Sequence, residues 1–282
     1  MSRTVYVNGS FVAEENATVS VFDRGFLFAD GVYEVCAVLN GRLTENEAHL
    51  ARLQRSLREL QMSSPLESVA IVAIQKELVR RNDLKEGNLY LQITRGVADR
   101  DFAYPKGATP SLVMFTQAKN LLESPVAKRG IAVISVEDIR WRRRDIKTIG
   151  LLAPCMAKQV ALTTGADDAW MVEQGYVTEG SSNNAWIITR DHTIVTRQLG
   201  NEILHGITRR AVLTLANEAD MRVEERAFDL EEAHNAAEAF ITSATTFVTP
   251  VISLDGKAIG DGKPGPLAKR LRQLYIEHAM SA

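Results

Sequence analysis

Several short stretches of the chain alternate apolar and polar residues with period two, and each marks a strand. Thr4–Val7 alternates and runs into Asn8-Gly9, a hairpin signal. Val19–Phe28 is apolar but broken by Asp23-Arg24-Gly25. Val32–Leu39 reads as a strand closed by Asn40-Gly41, with Tyr33 and Glu34 on opposite faces. Leu89, Leu91 and Ile93 alternate up to Arg95-Gly96, and Ser111–Thr116 is a further short apolar strand. The polar loop between them, Val97–Thr109, carries Arg100, Asp101, Phe102 and Tyr104.

The period changes to that of a helix in two places in this half. Thr44-Glu45-Asn46-Glu47 has the form of a capping box, and Leu50, Leu53, Leu57 and Leu60 mark one buried stripe after it. Arg52 lies off that stripe and reads, by itself, as a solvated arginine. Pro65 opens a second helix with Val69, Val72 and Leu78 among its apolar positions, ending near Arg81-Asn82-Asp83.

Ala118–Val126, with Ser124-Pro125, is the best linker candidate. Beyond it the pattern predicts strands at Ile131–Val136, Asp168–Val172, Tyr176–Thr178, Ala185–Thr189, Thr193–Thr196, Ala239–Thr242 and Val248–Leu254. Helices are expected at Leu151–Thr164, at Arg209–Ala219 with Thr208 as N-cap, at Leu230–His234 and at Leu267–Ala279. Glu179–Asn184 reads as a polar loop. The expected class is α/β with mixed α+β character, in two domains. A smaller N-terminal domain spans 1–117, a linker 118–126, and a larger C-terminal domain 127–282 carries Lys147.

Composition narrows the partners. The chain has 282 residues, 45% hydrophobic and 24% charged, with a net charge of -2, which gives no reason to invoke nucleic acid or membrane. Cys36 and Cys155 stand far apart, with no disulfide framework and no metal spacing, so a reduced, cytoplasmic setting is expected. Met1–Phe11 lacks the apolar core of a signal peptide. There is no Walker motif, GxGxxG or GxSxG, and no His/Cys/Asp cluster with ligand spacing, so no metal is expected.

The chemistry of interest centres on Asp138–Ala161. There Lys147 sits between the arginines Arg140, Arg142, Arg143 and Arg144 and the apolar Ile149, Leu151 and Leu152. Neighbouring positive charge and desolvation both disfavour a protonated amine, and a neutral lysine is a nucleophile. On that stretch alone the plainer reading holds, a basic surface turn with Lys147 snorkelling at a helix start. Further on, Gly206-Ile207-Thr208 at a helix start offers N–H groups, a hydroxyl and the positive end of a helix dipole, a phosphate site in kind. Ser243–Thr246 offers more hydroxyls, and Glu179 a carboxylate. Each is ordinary loop chemistry taken singly. A lysine for an aldehyde, a carboxylate for a pyridine nitrogen and a phosphate cradle with one arginine are together the set that pyridoxal phosphate needs.

Asp145-Ile146-Lys147-Thr148 with Leu151-Leu152, Thr178–Asn183 and Gly206–Arg209 resemble the fold-type IV pyridoxal-phosphate enzymes. The nearest subgroup is D-amino acid aminotransferase. Asp30–Val35 and His49–Arg52 match it in the same order, and the likeness extends from Val7-Asn8-Gly9 to Asp255-Gly256. The resemblance implies that Lys147 holds pyridoxal 5'-phosphate as a Schiff base and later carries the proton. It implies that Glu179 pairs with the pyridine nitrogen, and that Arg52, Ile207 and Thr208 bind the phosphate. Ala244 and Thr245 add phosphate contacts, chiefly through backbone N–H. Tyr33 and Arg100 would hold the substrate carboxylate, Arg100 reaching the partner subunit's site in a homodimer.

Two departures stand out. Phe102 occupies the position where the family has a histidine two residues after the arginine, which replaces a carboxylate donor by an aromatic wall. Ala244 stands where the subgroup has threonine. The implied activity is ping-pong transfer of the amino group of a D-amino acid, D-alanine-like, to a 2-oxo acid such as 2-oxoglutarate. Branched-chain L-amino acid aminotransferase, (R)-amine aminotransferase and 4-amino-4-deoxychorismate lyase share the fold and remain alternatives, as does a catalytically silent binding protein.

Overall fold

Leu89, Leu91 and Ile93 point inward from the middle of one sheet, and the rest of the first unit is arranged around them. The computed structural model describes residues 2–281. Contacts divide the chain into two units, one of residues 2–120 with 146–150, the other of 121–145 with 151–281.

The first unit contains β1 (Thr4–Val7), β2 (Ser10–Ala13), α1 (Arg24–Phe28), β3 (Gly31–Leu39), β4 (Arg42–Leu43), α2 (Asn46–Glu59), α3 (Ser68–Arg81), β5 (Glu86–Thr94) and β6 (Ser111–Ala118). Its strands form a sheet in the order β2-β1-β6-β5-β3-β4. The core joins Leu50, Leu53 and Leu57 of α2 and Ile71 and Leu78 of α3 to Leu89, Leu91, Ile93, Leu112 and Met114. Ile146 belongs to that core as well.

Three local expectations change here. The capping box at Thr44 does not form. The Thr44 N–H is still held by Ala37 O (2.9 Å), so the chain must turn at Glu45, which takes φ 54° and caps α2 without a side-chain bond. Helix α3 begins after Glu67 rather than at Pro65, and its buried face is Ile71, Gln75, Leu78 and Val79. Val69 lies off that face, 83% exposed. Asp23-Arg24-Gly25, expected as a break, opens a helical turn because the Asp23 carboxylate accepts from the Gly25 N–H (2.8 Å).

The second unit contains α4 (Pro125–Arg129), β7 (Ile131–Glu137), α5 (Leu152–Thr163), β8 (Asp168–Glu173), β9 (Tyr176–Gly180), β10 (Asn184–Ile188), β11 (Ile194–Thr196), α6 (Ile207–Glu218), β12 (Val223–Glu225), α7 (Leu230–Asn235), β13 (Glu238–Ser243), β14 (Phe247–Leu254), β15 (Lys257–Ala258) and α8 (Pro266–Ser281). The strand order is β12-β11-β10-β13-β14-β7-β8-β9, with β15 paired to β14. β14, β7 and β8 run parallel, the other pairs antiparallel except β11 with β12. Trp170, Ile187, Phe228, Ile241 and Val251 fill one side of this sheet. Trp186 stacks on Phe240 (5.2 Å) and donates from Nε1 to Thr242 Oγ1 (2.9 Å), which satisfies its one polar atom.

The loop expected at Glu179–Asn184 shrinks to three residues, since Glu179 and Gly180 finish β9 and Asn184 starts β10. Helix α6 starts one residue before Thr208, with Gly206 as its cap. Among the described residues no helix is long and apolar enough to cross a membrane.

Candidate active site

In the first unit the site grows out of β3. Tyr33 and Glu34 do point to opposite faces. Glu34 is buried and accepts from Arg52 through both Nε and Nη2 (2.7 Å each), while His49 Nδ1 lies 2.7 Å from its second oxygen. Helix α2 supplies His49 and Arg52 three residues apart, hence on one face. Burial alone would raise the pKa of Glu34, but the Arg52 guanidinium and His49 outweigh it and hold the carboxyl at about 2. Burial pushes His49 down, against the pull of Glu34, so it is biased to the neutral form. Arg52 is therefore not the solvated residue its place off the leucine stripe suggested, being 8% exposed and paired.

Lys147 is placed by a short extended segment along the free edge of β3. Tyr33 N–H donates to Lys147 O (3.0 Å), Ile149 N–H donates to Gly31 O (3.1 Å), and Val32 bridges Thr148. Lys147 N–H points at Ser56 Oγ (3.4 Å). Ile146, sunk in the core, fixes the residue before it. Lys147, assigned to the larger domain by its order in the chain, thus packs with the first unit. Its Nζ lies 4.2 Å from the centroid of the Tyr33 ring. That ring stacks on Tyr90 (5.5 Å), which stacks on Phe115 (4.7 Å), so Tyr33 has an aromatic backing across three strands. Arg100 and Phe102 stand on the loop between β5 and β6, with the Arg100 guanidinium 5.3 Å from the Phe28 ring and 5.5 Å from the Phe102 ring. Phe102 is 79% exposed.

In the second unit Glu179 is buried at the end of β9. It accepts from Asn184 Nδ2 (2.9 Å) and the Leu204 N–H (3.1 Å), and Arg140 Nη1 donates to its other oxygen. Burial raises its pKa, against the opposing effects of Arg140 and the Leu204 N–H, so further positive charge beside it is favoured. The arginine run does not form a pool of loose positive charge. Arg140 grips Asp138 (2.7 and 2.9 Å) as well as Glu179, Arg143 donates to Asp145 (2.9 and 3.1 Å), and Arg144 donates to Glu173 (2.8 and 3.0 Å).

The N-terminus of α6 has the features of an anion site. Its first N–H groups have no partner within the helix, Gly206 makes no side-chain cap, and Thr208 Oγ1 is buried with no hydrogen-bond partner. A Cβ on Gly206 would lie 2.0 Å from Asn184 Oδ1, so this end of α6 approaches β10 as closely as it does only with glycine there. At 243–246 the Ser243 hydroxyl binds those of Thr245 (3.3 Å) and Thr246 (2.9 Å) and accepts from the Thr245 N–H, and Ala244 lies in that turn. A buried orphan hydroxyl at a helix N-terminus suits a phosphate, and a buried carboxylate with a raised pKa suits a protonated ring nitrogen. The residues present fit pyridoxal 5'-phosphate.

The first unit thus brings together Lys147 and Tyr33, with Glu34, Arg52 and His49 on β3 and the helix beside it. The second holds Glu179, with Ile207 and Thr208 at a helix start. Glu34, His49, Arg140 and Asn184 were given no role in the site by the sequence. A charged residue inside an otherwise apolar strand was the available signal for Glu34, because a buried carboxylate needs a cation.

A family model of the amino-transferase class IV enzymes matches residues 31–254. A D-alanine aminotransferase of Bacillus licheniformis is 40% identical over 268 residues, 95% of this chain and 94% of that one. A D-alanine aminotransferase of Staphylococcus aureus (strain N315) is 37% identical, covering 97% and 98%. Among solved structures, a T.th. branched-chain amino acid aminotransferase with pyridoxamine 5'-phosphate superimposes with a TM-score of 0.93 at 26% identity, over 100% of this chain and 95% of that one.

Proposed function

The chain belongs to the amino-transferase class IV family, and from that premise we propose that it transfers the amino group of a D-amino acid, D-alanine-like, to a 2-oxo acid such as 2-oxoglutarate in a ping-pong cycle. It is an aminotransferase, and its cofactor is pyridoxal 5'-phosphate. The observation that carries the D-amino acid reading is the 40% identity to a D-alanine aminotransferase across nearly the whole chain.

Bound, the cofactor supplies an aldehyde that condenses with amines and a ring that accepts the electron pair left at the substrate Cα. Lys147 Nζ would hold that aldehyde, and as a free amine it would take the proton from the substrate Cα as general base. The backbone bond between Tyr33 and Lys147 fixes the main chain from which Nζ reaches the face of the Tyr33 ring. Glu179 would pair with the ring nitrogen and favour a proton there. Arg52, Ile207, Thr208, Ala244 and Thr245 would hold the phosphate. Tyr33 and Arg100 hold the substrate carboxylate, with Phe102 as an aromatic wall.

A homodimer fits this reading, with Arg100 serving the partner's site. What supports it is the set of exposed apolar side chains on the first unit, Val19, Val21, Phe22, Phe26, Val97 and Phe102. One observation favours a second reading. Phe102 in place of a histidine removes a carboxylate donor, which suits a donor with a larger apolar group, as in branched-chain or (R)-amine transamination.

A panel of D- and L-amino acids and (R)-amines, each with pyruvate and with 2-oxoglutarate, separates them. D-alanine with 2-oxoglutarate should turn over and L-amino acids should not. Turnover confined to L-leucine-like donors or to amines without a carboxylate would sink the D-amino acid reading.

A further inference from the structure

The loop from Gly96 to Pro110 carries Arg100 and Phe102 and has no regular structure of its own. A loop this long holds a fixed shape only if side chains pin it. Its base is closed by backbone. Arg24 N–H donates to Gly96 O (2.9 Å) and Ala98 N–H to Phe22 O (3.2 Å). Gly96 has φ +95°, and a Cβ there would fall 1.9 Å from Thr109 O, so the two loop ends touch.

The rest of the loop is held by two buried guanidinium groups that share one carboxylate. Arg24 donates from Nε to Asp30 Oδ2 (2.7 Å) and from Nη1 to the Asp101 carbonyl (2.6 Å). Arg95 donates to both Asp30 oxygens (2.7 and 3.0 Å) and to the Leu60 and Gln61 carbonyls (2.9 and 3.2 Å). The Arg95 guanidinium lies 3.6 Å from the Tyr104 ring centroid. Burial opposes ionisation of Asp30, but the two arginines outweigh it and lower its pKa, so the carboxylate stays charged. Arg24 also sits 4.6 Å from the Phe28 ring, which packs against Phe102 (5.6 Å) and faces Arg100. Asp30 therefore orients two cations, and each reaches a different part of the loop.

We propose that Arg24, oriented by Asp30, is a positioning residue that sets where the Arg100 guanidinium stands, and through it how tightly the substrate carboxylate is held. Arg24 acts through the residue next to Arg100 and through the ring Arg100 rests on. The inference rests on the reading of Arg100 as the carboxylate-binding residue. A guanidinium fork is required, since a single ammonium cannot reach Asp30 and the Asp101 carbonyl in one fixed geometry.

The test compares holoenzyme variants R24M, R24K, Y104L and R100M with wild type. R24M leaves Asp30 paired to Arg95, and Tyr104 is 52% exposed, so Y104L leaves the core untouched. Two quantities are read, backbone hydrogen exchange over residues 97–109 and the split of kcat and KM with amino donor and 2-oxo acid. R24M and R24K should both raise exchange in the loop and raise KM for both acids about tenfold, with kcat and the visible absorbance of the bound cofactor unchanged. Y104L should shift the same quantities in the same direction, and R100M should raise KM at least as far. Unchanged loop exchange in R24M overturns the inference. So does an unchanged KM in R24M beside a raised KM in R100M, or a loss of kcat and cofactor absorbance without a KM change. If R100M itself leaves KM unchanged, the carboxylate role of Arg100 has failed and the inference falls with it. The exchange data then still report separately whether Arg24 holds the loop.

Discussion

Thr208 keeps a buried hydroxyl with no partner inside the protein. An unmade bond of that kind costs about 1–3 kcal/mol, and a phosphate oxygen placed there would recover it. Thr208→Val keeps the shape and removes the hydroxyl. The apo protein should become slightly more stable, while the affinity for pyridoxal 5'-phosphate drops roughly tenfold. Thermal melts of the apo form and a cofactor titration by absorbance check the two signs, and equal cofactor affinity would contradict the phosphate role.

Glu34 supplies a pH-dependent prediction at the same scale. Its folded pKa of about 2 lies below the unfolded value of 4.5, so the stability it contributes is fully present above pH 4.5 and is lost as pH falls through 2. Glu34→Gln leaves the buried Arg52 without its counter-charge. The variant should lose on the order of 3 kcal/mol at neutral pH and show a flatter acid limb. Denaturant unfolding measured across that window decides it, and an acid limb identical to wild type would count against the pairing. The sequence did not disclose this pair. The leucine stripe of α2 identified the apolar face correctly at Leu50, Leu53 and Leu57. It misplaced Arg52 as solvated, because a buried arginine is decided by a carboxylate on another element.

Among the elements, β3 and α2 were legible because long periodic runs show on their own sequence. The segment Ile146–Ile149 was not. It is too short to show a period, and its partners, Gly31 and Tyr33, are far away in the chain. What fixes it is one apolar side chain, Ile146, which is 4% exposed. Ile146→Ala should cost about 2–4 kcal/mol and speed hydrogen exchange at the amides of Tyr33 and Ile149. Exchange there at the wild-type rate would show that Ile146 does not anchor the lysine segment. The same limit explains α3. Val69 and Leu78 were both named among its apolar positions, but the helix buries Leu78 with Ile71 and Gln75 and leaves Val69 exposed.

At the scale of the whole molecule, the α/β class could be read from the order of strand-like and helix-like runs. The activity could not be read from any one motif. Lys147 beside four arginines suggested a lysine tuned by positive charge, yet three of those arginines are paired with Asp138, Glu179, Asp145 and Glu173. What singles out Lys147 is its backbone tie to Tyr33, together with the family to which the chain belongs. The most direct measurement is a half-reaction without acceptor. Holoenzyme is mixed with D-alanine, and separately with L-alanine, while the visible absorbance of the cofactor and the pyruvate formed are followed in wild type and Lys147→Ala. D-alanine should abolish the visible band of the wild type and release pyruvate in step with it, L-alanine should do neither, and the variant should fail with both. Conversion by L-alanine alone, or by Lys147→Ala at the wild-type rate, would contradict the account.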